Sequence, residues 1–141
     1  MEKNIIIANK NPKNKKTTDC VIRALTKALN KGIEEIITDL TAVYLKKGYF
    51  ITDKKCVNHY LTKECNYTTM KQVKKENGKK YIANEFCEYL NKLKITEDVL
   101  ASVGTGHITV FTNTGTKNNP NYKVYDSWDC TGKCVGTWWK K

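Results

Sequence analysis

The sequence predicts an α+β fold in which N-terminal helices pack on a C-terminal antiparallel sheet. Two patterns along the chain predict it. Up to about residue 92 the apolar residues recur at spacings of three and four, the period of a helix with one buried face. Beyond Thr96 they alternate, or form short runs broken by Gly, Asn and Pro, as strands and hairpins do. Size is the third observation. A chain of 141 residues, 40% hydrophobic and 28% charged, suits one core, and no linker or internal repeat divides it. Residues 1–141 therefore read as a single domain.

Three isoleucines within residues 4–8 suggest a short strand, and the polar run 9–18 reads as a loop. Thr18 or Asp19 is a good N-cap, after which Val21, Ile22, Leu25, Ala28 and Leu29 share one helical face. Gly32 stands where that helix should stop. Ile33, Ile36, Ile37, Leu40, Val43 and Tyr44 make the stripe of a second helix, which Gly48 ends. Thr52 or Asp53 caps a third, running to about Lys63 and burying Val57, Tyr60 and Leu61. A strand is expected near residues 67–70, a turn at Asn77-Gly78, and a helix over 83–92 that buries Phe86, Tyr89 and Leu90. Residues 99–103 and 108–112 then form strands around Gly104-Thr105-Gly106. A long loop over 114–121 leads into a strand beginning at Tyr122, and a turn at residues 131–133 leads into a last strand over 135–139.

The formal charge of +11 comes from 25 basic residues, of which only Arg23 is an arginine. The lysines are dispersed in pairs without one dominant block. Base reading and bidentate phosphate clamping favour arginine, so sequence-specific nucleic-acid binding is not expected. Heavy use of Lys, Asn and Ile is also what AT-rich coding produces. A preference for acidic protein partners is the remaining implication of the charge. No apolar run approaches the ~20 residues that span a bilayer. The apolar start is too short for a signal-peptide core, so a cytoplasmic chain is expected. In that compartment six cysteines are not read first as three disulfides.

Chemistry centres on Cys20, which follows the expected cap. A thiol at a helix start lies near unpaired N–H groups and the positive dipole end, which favours the thiolate. A general base must come from His59 or His107, the two histidines of the chain. His59 falls within a predicted helix, where a surface or half-buried place is expected. His107 opens a strand after small residues that leave room for a ligand. Asp126 ends the next strand. Pairing of those two strands across the 114–121 loop would set Asp126 beside His107, where it holds the imidazole tautomer that accepts the Cys20 proton.

The segment from Asn14 through Asp19-Cys20-Val21-Ile22-Arg23-Ala24 resembles the active-site helix of papain-like cysteine peptidases. It is most similar to the small bacterial and phage branch related to peptidases that trim double-glycine leaders. In that family an Asp-Cys pair opens the first helix, and a glutamine six residues before the cysteine lines the oxyanion hole. Here that place holds Asn14, which keeps the amide on a side chain one methylene shorter. Gly106-His107-Ile108-Thr109-Val110 resembles the histidine strand, and Val124-Tyr125-Asp126-Ser127-Trp128-Asp129 the strand carrying the orienting residue. The resemblance implies a papain-like fold and a cysteine peptidase, or a related amide or thioester hydrolase, acting on a protein or peptide substrate. It assigns Cys20 as nucleophile, His107 as base and Asp126 as its orienter, with Asn14 and the Cys20 N–H at the oxyanion. The alternative is a catalytically weak papain-like protein that binds a protein partner, for example a phage or mobile-element inhibitor.

No metal or other cofactor is expected. Cys56-x₂-His59 with Cys65 and Cys87 supplies four zinc-type ligands in number, but no second close pair completes a knuckle. Cys130 and Cys134 flank a turn, where packing or a facultative disulfide is expected. All cysteines other than Cys20 read as bystanders to the chemistry. Trp138 and Trp139 should point to opposite faces of a strand, one filling the core and one exposed. An exposed tryptophan near the site would suit a peptide groove.

Overall fold

The fold is seen in a computed structural model that describes residues 2–141. The elements follow in the order β1 (Ile5–Ile7), α1 (Cys20–Leu29), α2 (Ile33–Lys47), α3 (Lys54–Glu64), β2 (Thr68–Met70), α4 (Ala83–Asn91), β3 (Val99–Val103), β4 (His107–Asn113), β5 (Tyr122–Asp126) and β6 (Val135–Lys140). Apolar periodicity, together with capping and turn residues, placed most of these. Among the described residues, four helices surround a six-stranded sheet of order β1-β5-β4-β3-β6-β2. The mixed α+β class therefore stands.

Two features depart from the expected architecture. The sheet is mixed, because β1 pairs parallel with β5 while the other neighbours are antiparallel. Helices also cover both faces. Leu100, Ile108, Val110 and Trp139 pack with residues of α1, α2 and α3. Their neighbours along the strands, Val99, Ala101, Phe111 and Trp138, pack with α4. Period-two alternation sends adjacent residues to opposite faces, so a strand buried on both sides reads as a continuous apolar run.

The tryptophan pair follows from this. Both Trp138 and Trp139 are buried, one in each core, instead of one being exposed. Each indole N–H finds a partner, Trp138 donating to the Lys71 carbonyl at 3.0 Å and Trp139 to Asn58 Oδ1 at 2.9 Å. Trp128 is the exposed member of the three, at 40%.

The helix boundary after α1 also moves. Asn30 takes the left-handed conformation (φ 51°, ψ 46°) and ends α1, while Gly32 is extended and opens α2. Asparagine tolerates that region well enough to make the glycine unnecessary there. Gly48 does end α2 as expected, at φ 79°, with its N–H on the Tyr44 carbonyl.

What positions the site is the β4–β5 hairpin. Asn113 Oδ1 accepts hydrogen bonds from the backbone of Gly115 (2.9 Å) and Asn121 (2.8 Å), closing the long loop from inside. Gly115 is required by contact as well, since a Cβ there would lie 2.3 Å from the Asn119 carbonyl oxygen. The loop fixes a register in which Val110 faces Tyr125, so the next pair along is Thr109 and Asp126. On its far side β5 is held by β1, with the Ala8 N–H donating to the Asp126 carbonyl at 2.8 Å. The backbone around Asp126 is thus fixed from both sides.

Truncation of Trp139 to alanine should cost about 3–5 kcal/mol in urea denaturation, because it empties a fully buried site. Leu45→Ala, on the solvent side of α2 at 78% exposure, should stay within about 0.5 kcal/mol.

Candidate functional site

Cys20 is the first residue of α1 and is half-buried. The expected side-chain cap is missing. Asp19 occupies the N-cap position, but its carboxylate accepts from Arg23 Nε at 2.7 Å and Asn11 Nδ2 at 2.8 Å. A charge-assisted bond to guanidinium outcompetes a bond to a peptide N–H. The thiol lies against the start of β4, within hydrogen-bonding reach of the His107 ring and the Ile108 N–H.

His107 opens β4 after a turn in which Gly104 (φ 57°) and Gly106 (φ 73°) are both left-handed. Its Nε2 lies 2.7 Å from Asp126 Oδ2. With that nitrogen engaged, Nδ1 is the ring nitrogen left for the thiol. Asp126 is 4% exposed and fully occupied. Oδ2 also accepts from Thr109 Oγ1 at 2.6 Å and lies 3.6 Å from Cys130 Sγ. Oδ1 accepts from the Ser127 N–H at 2.7 Å and from Arg23 Nη1 at 3.3 Å.

The electrostatics follow from these contacts. Burial alone would raise the Cys20 pKa, but the bonds from His107 and Ile108 and the charges of His107 and Arg23 bring it below the usual thiol value. Burial opposes a charged His107, yet bonds to Asp126, Cys130 and Cys20, with the Asp126 charge, hold its pKa well above the usual imidazole value. Asp126 is likewise pushed up by burial and brought below the carboxylate range by His107, Thr109 and Ser127. All three directions favour a thiolate–imidazolium pair backed by a carboxylate.

The structure thus brings Cys20, His107 and Asp126 together. Beside them opens a cleft of about 610 Å³, lined in part by Lys16, Thr18, Cys20, His107 and Trp128. The Trp128 ring stands 5.0 Å from the His107 ring, centroid to centroid. Asn14 is exposed, at φ 54° in the loop ahead of α1, and is not among the described residues lining that cleft. His59 is half-buried on α3 and borders a different depression with Lys46 and Lys63.

Some participants were not legible as such. Cys130, read from the sequence as a bystander to the chemistry, is fully buried with its Sγ 3.6 Å from Asp126 Oδ2. Its donor atom, with those of His107 and Asp126, forms a group lying within 4.8 Å, three metal-ligand types already engaged with one another. The other cysteine set does not assemble, because Cys56 and Cys87 belong to cores on opposite faces of the sheet. Cys130 and Cys134 are free thiols, the first buried and the second exposed. Thr109 had a signal in its position two residues from His107, on the same face of the strand. Arg23 had one in being one turn along the helix from Cys20.

Comparison of the chain with protein-family models, with curated proteins and with solved structures finds no match.

Replacement of Thr109 by valine removes a donor to a buried carboxylate. The folded Asp126 pKa lies below its unfolded value, so this bond stabilises at neutral pH and its contribution is lost as pH falls through the folded pKa. Thr109→Val should therefore cost about 1.5–3 kcal/mol at pH 7 in urea titrations. The difference from the parent should shrink once the pH drops below the ordinary carboxylate range.

Proposed function

We propose that the protein is a papain-like cysteine hydrolase, acting on an amide or thioester bond of a protein or peptide through Cys20, His107 and Asp126. Support comes from one juxtaposition. The half-buried thiol at the start of α1 meets an imidazole whose opposite nitrogen is held at 2.7 Å by a buried carboxylate. This is the arrangement a nucleophile, base and orienter need.

In the proposed cycle the Cys20 thiolate forms a bond to the carbonyl carbon, and the developing oxyanion turns toward the N–H groups of the first turn of α1. His107 gives its proton to the departing amine or thiol as the old bond breaks. Water then attacks the acyl-enzyme, His107 takes its proton, and the carboxylic acid product leaves with the thiolate restored. Asp126 keeps the His107 ring oriented throughout. The open cleft beside Cys20, walled by Trp128, suits an extended peptide, and the +11 charge favours acidic partners.

A second reading, a papain-like scaffold that binds a protein partner with little turnover, is favoured by the exclusion of Asn14 from the cleft lining. Two measurements separate the readings. Iodoacetamide should alkylate Cys20 well below the usual thiol pKa of about 8.5, and His107→Ala should abolish that low-pH reactivity. An activated ester such as p-nitrophenyl acetate should leave a transient acetyl group on Cys20. Slow, equal labelling of Cys20 and the exposed Cys134 would remove the hydrolase reading. Low-pH alkylation without any acyl adduct would select the binding protein.

A further inference from the structure

A chain that meets nearly every need for a cation with lysine uses its one arginine inside this cluster. The Arg23 side chain is only 10% exposed. Its Nε bonds Asp19 Oδ1 at 2.7 Å, and its Nη1 bonds Ser127 Oγ at 2.9 Å and Asp126 Oδ1 at 3.3 Å. One guanidinium therefore links the first turn of the helix that carries Cys20 to the end of the strand that carries Asp126. A lysine presents a single point charge and has no fork with which to hold these partners at once.

The carboxylate it touches has a division of labour. Oδ1 faces Arg23 and the Ser127 N–H, whereas Oδ2 faces His107, Thr109 and Cys130. Rotation of the carboxylate would break the His107 contact, and the Oδ1 bonds oppose that rotation. We propose that Arg23 is a positioning residue of the site, tying the Cys20 helix to Asp126 and so setting both the orientation and the charge balance of the Asp126–His107–Cys20 relay. The proposal rests on the thiol chemistry of the preceding section.

The charge balance can be followed group by group. Around Cys20 stand Asp19 and Arg23 from its own helix and cap, His107 from β4 and Asp126 from β5. Cys130 lies beyond β5, and Lys10 and Lys16 come from the loop ahead of α1. Arg23 is the cation buried between two carboxylates, while Lys10 and Lys16 are exposed and screened by water. Without Arg23, the thiolate forms beside two carboxylates offset by the imidazolium alone. The direct influence of the Arg23 charge on Cys20 acts in the same direction.

The test is the pH midpoint of Cys20 alkylation by iodoacetamide, read by peptide mass spectrometry in folded protein. Arg23→Gln should raise the midpoint by about one pH unit or more, the size of shift expected when a nearby opposite charge is lost. Arg23→Lys keeps a cation without the fork and should move the midpoint upward by less. It also provides the measurement if the glutamine variant does not fold. A clamp that merely holds the fold together would lower the thermal midpoint of either variant and leave the alkylation midpoint in place. A folded Arg23→Gln or Arg23→Lys protein with the parental alkylation midpoint overturns the proposal while leaving the hydrolase reading intact. Absence of low-pH alkylation in the parent protein instead removes the thiol chemistry itself, and the role of Arg23 with it.

Discussion

A carboxylate withdrawn from water must be met by donors or it will not ionise, and Asp126 is met on every side. His107 and Thr109 reach it from β4, Ser127 and Cys130 from its own strand end and the loop beyond, and Arg23 from α1. His107 and Thr109 are neighbours in the chain, as are Ser127 and Cys130, but these two pairs and Arg23 come from separate elements. The register of β4 against β5, the close of the 114–121 loop and the docking of α1 on the sheet must all be right before the carboxylate is satisfied. An error in any of them would leave a buried charge unpaired, at a cost of several kcal/mol. The site and the fold around it therefore share one constraint.

The double-sided core explains why the constraint can be met with little freedom. Trp139 anchors the face that carries α1, α2 and α3, and Trp138 anchors the face that carries α4. The strands between them have no solvated side on which to slip, and a one-residue shift would exchange the two apolar sets. β1 adds a parallel edge, and just past its end the Ala8 N–H holds the Asp126 carbonyl. Cys20 then needs no long reach. It stands at the end of a helix already fixed against β4.

The lysines belong to a different level of organisation. Some form partly buried pairs that tie elements together, such as Lys27 with Asp98 and Lys31 with Asp39. Most are exposed, as in the pairs Lys46-Lys47 and Lys79-Lys80. Exposed ion pairs stabilise little. The single arginine is where cationic geometry matters, and this contrast within one chain separates a background of charge from a placed charge.

Much of this protein was legible in its sequence because much of its structure is local. Helical spacing marked α1 to α4, alternation and turn residues marked β3 to β6, and the order Cys20, His107, Asp126 marked a set of residues whose strands would bring them together. The helix boundary at Asn30 was missed because its left-handed geometry is allowed to asparagine and merely preferred by glycine. Other features have no local cause. Nothing within Ile5–Ile7 says that β1 runs parallel to β5, and nothing between Trp138 and Trp139 says that both faces of their strand are covered. Cys130 and Arg23 acquire their places only when a loop and a helix from opposite ends of the chain close on one carboxylate. Residue type and spacing determined which groups could react. Burial, register and the need to satisfy Asp126 decided which of them meet, because those are properties of the packed chain and of no segment in it.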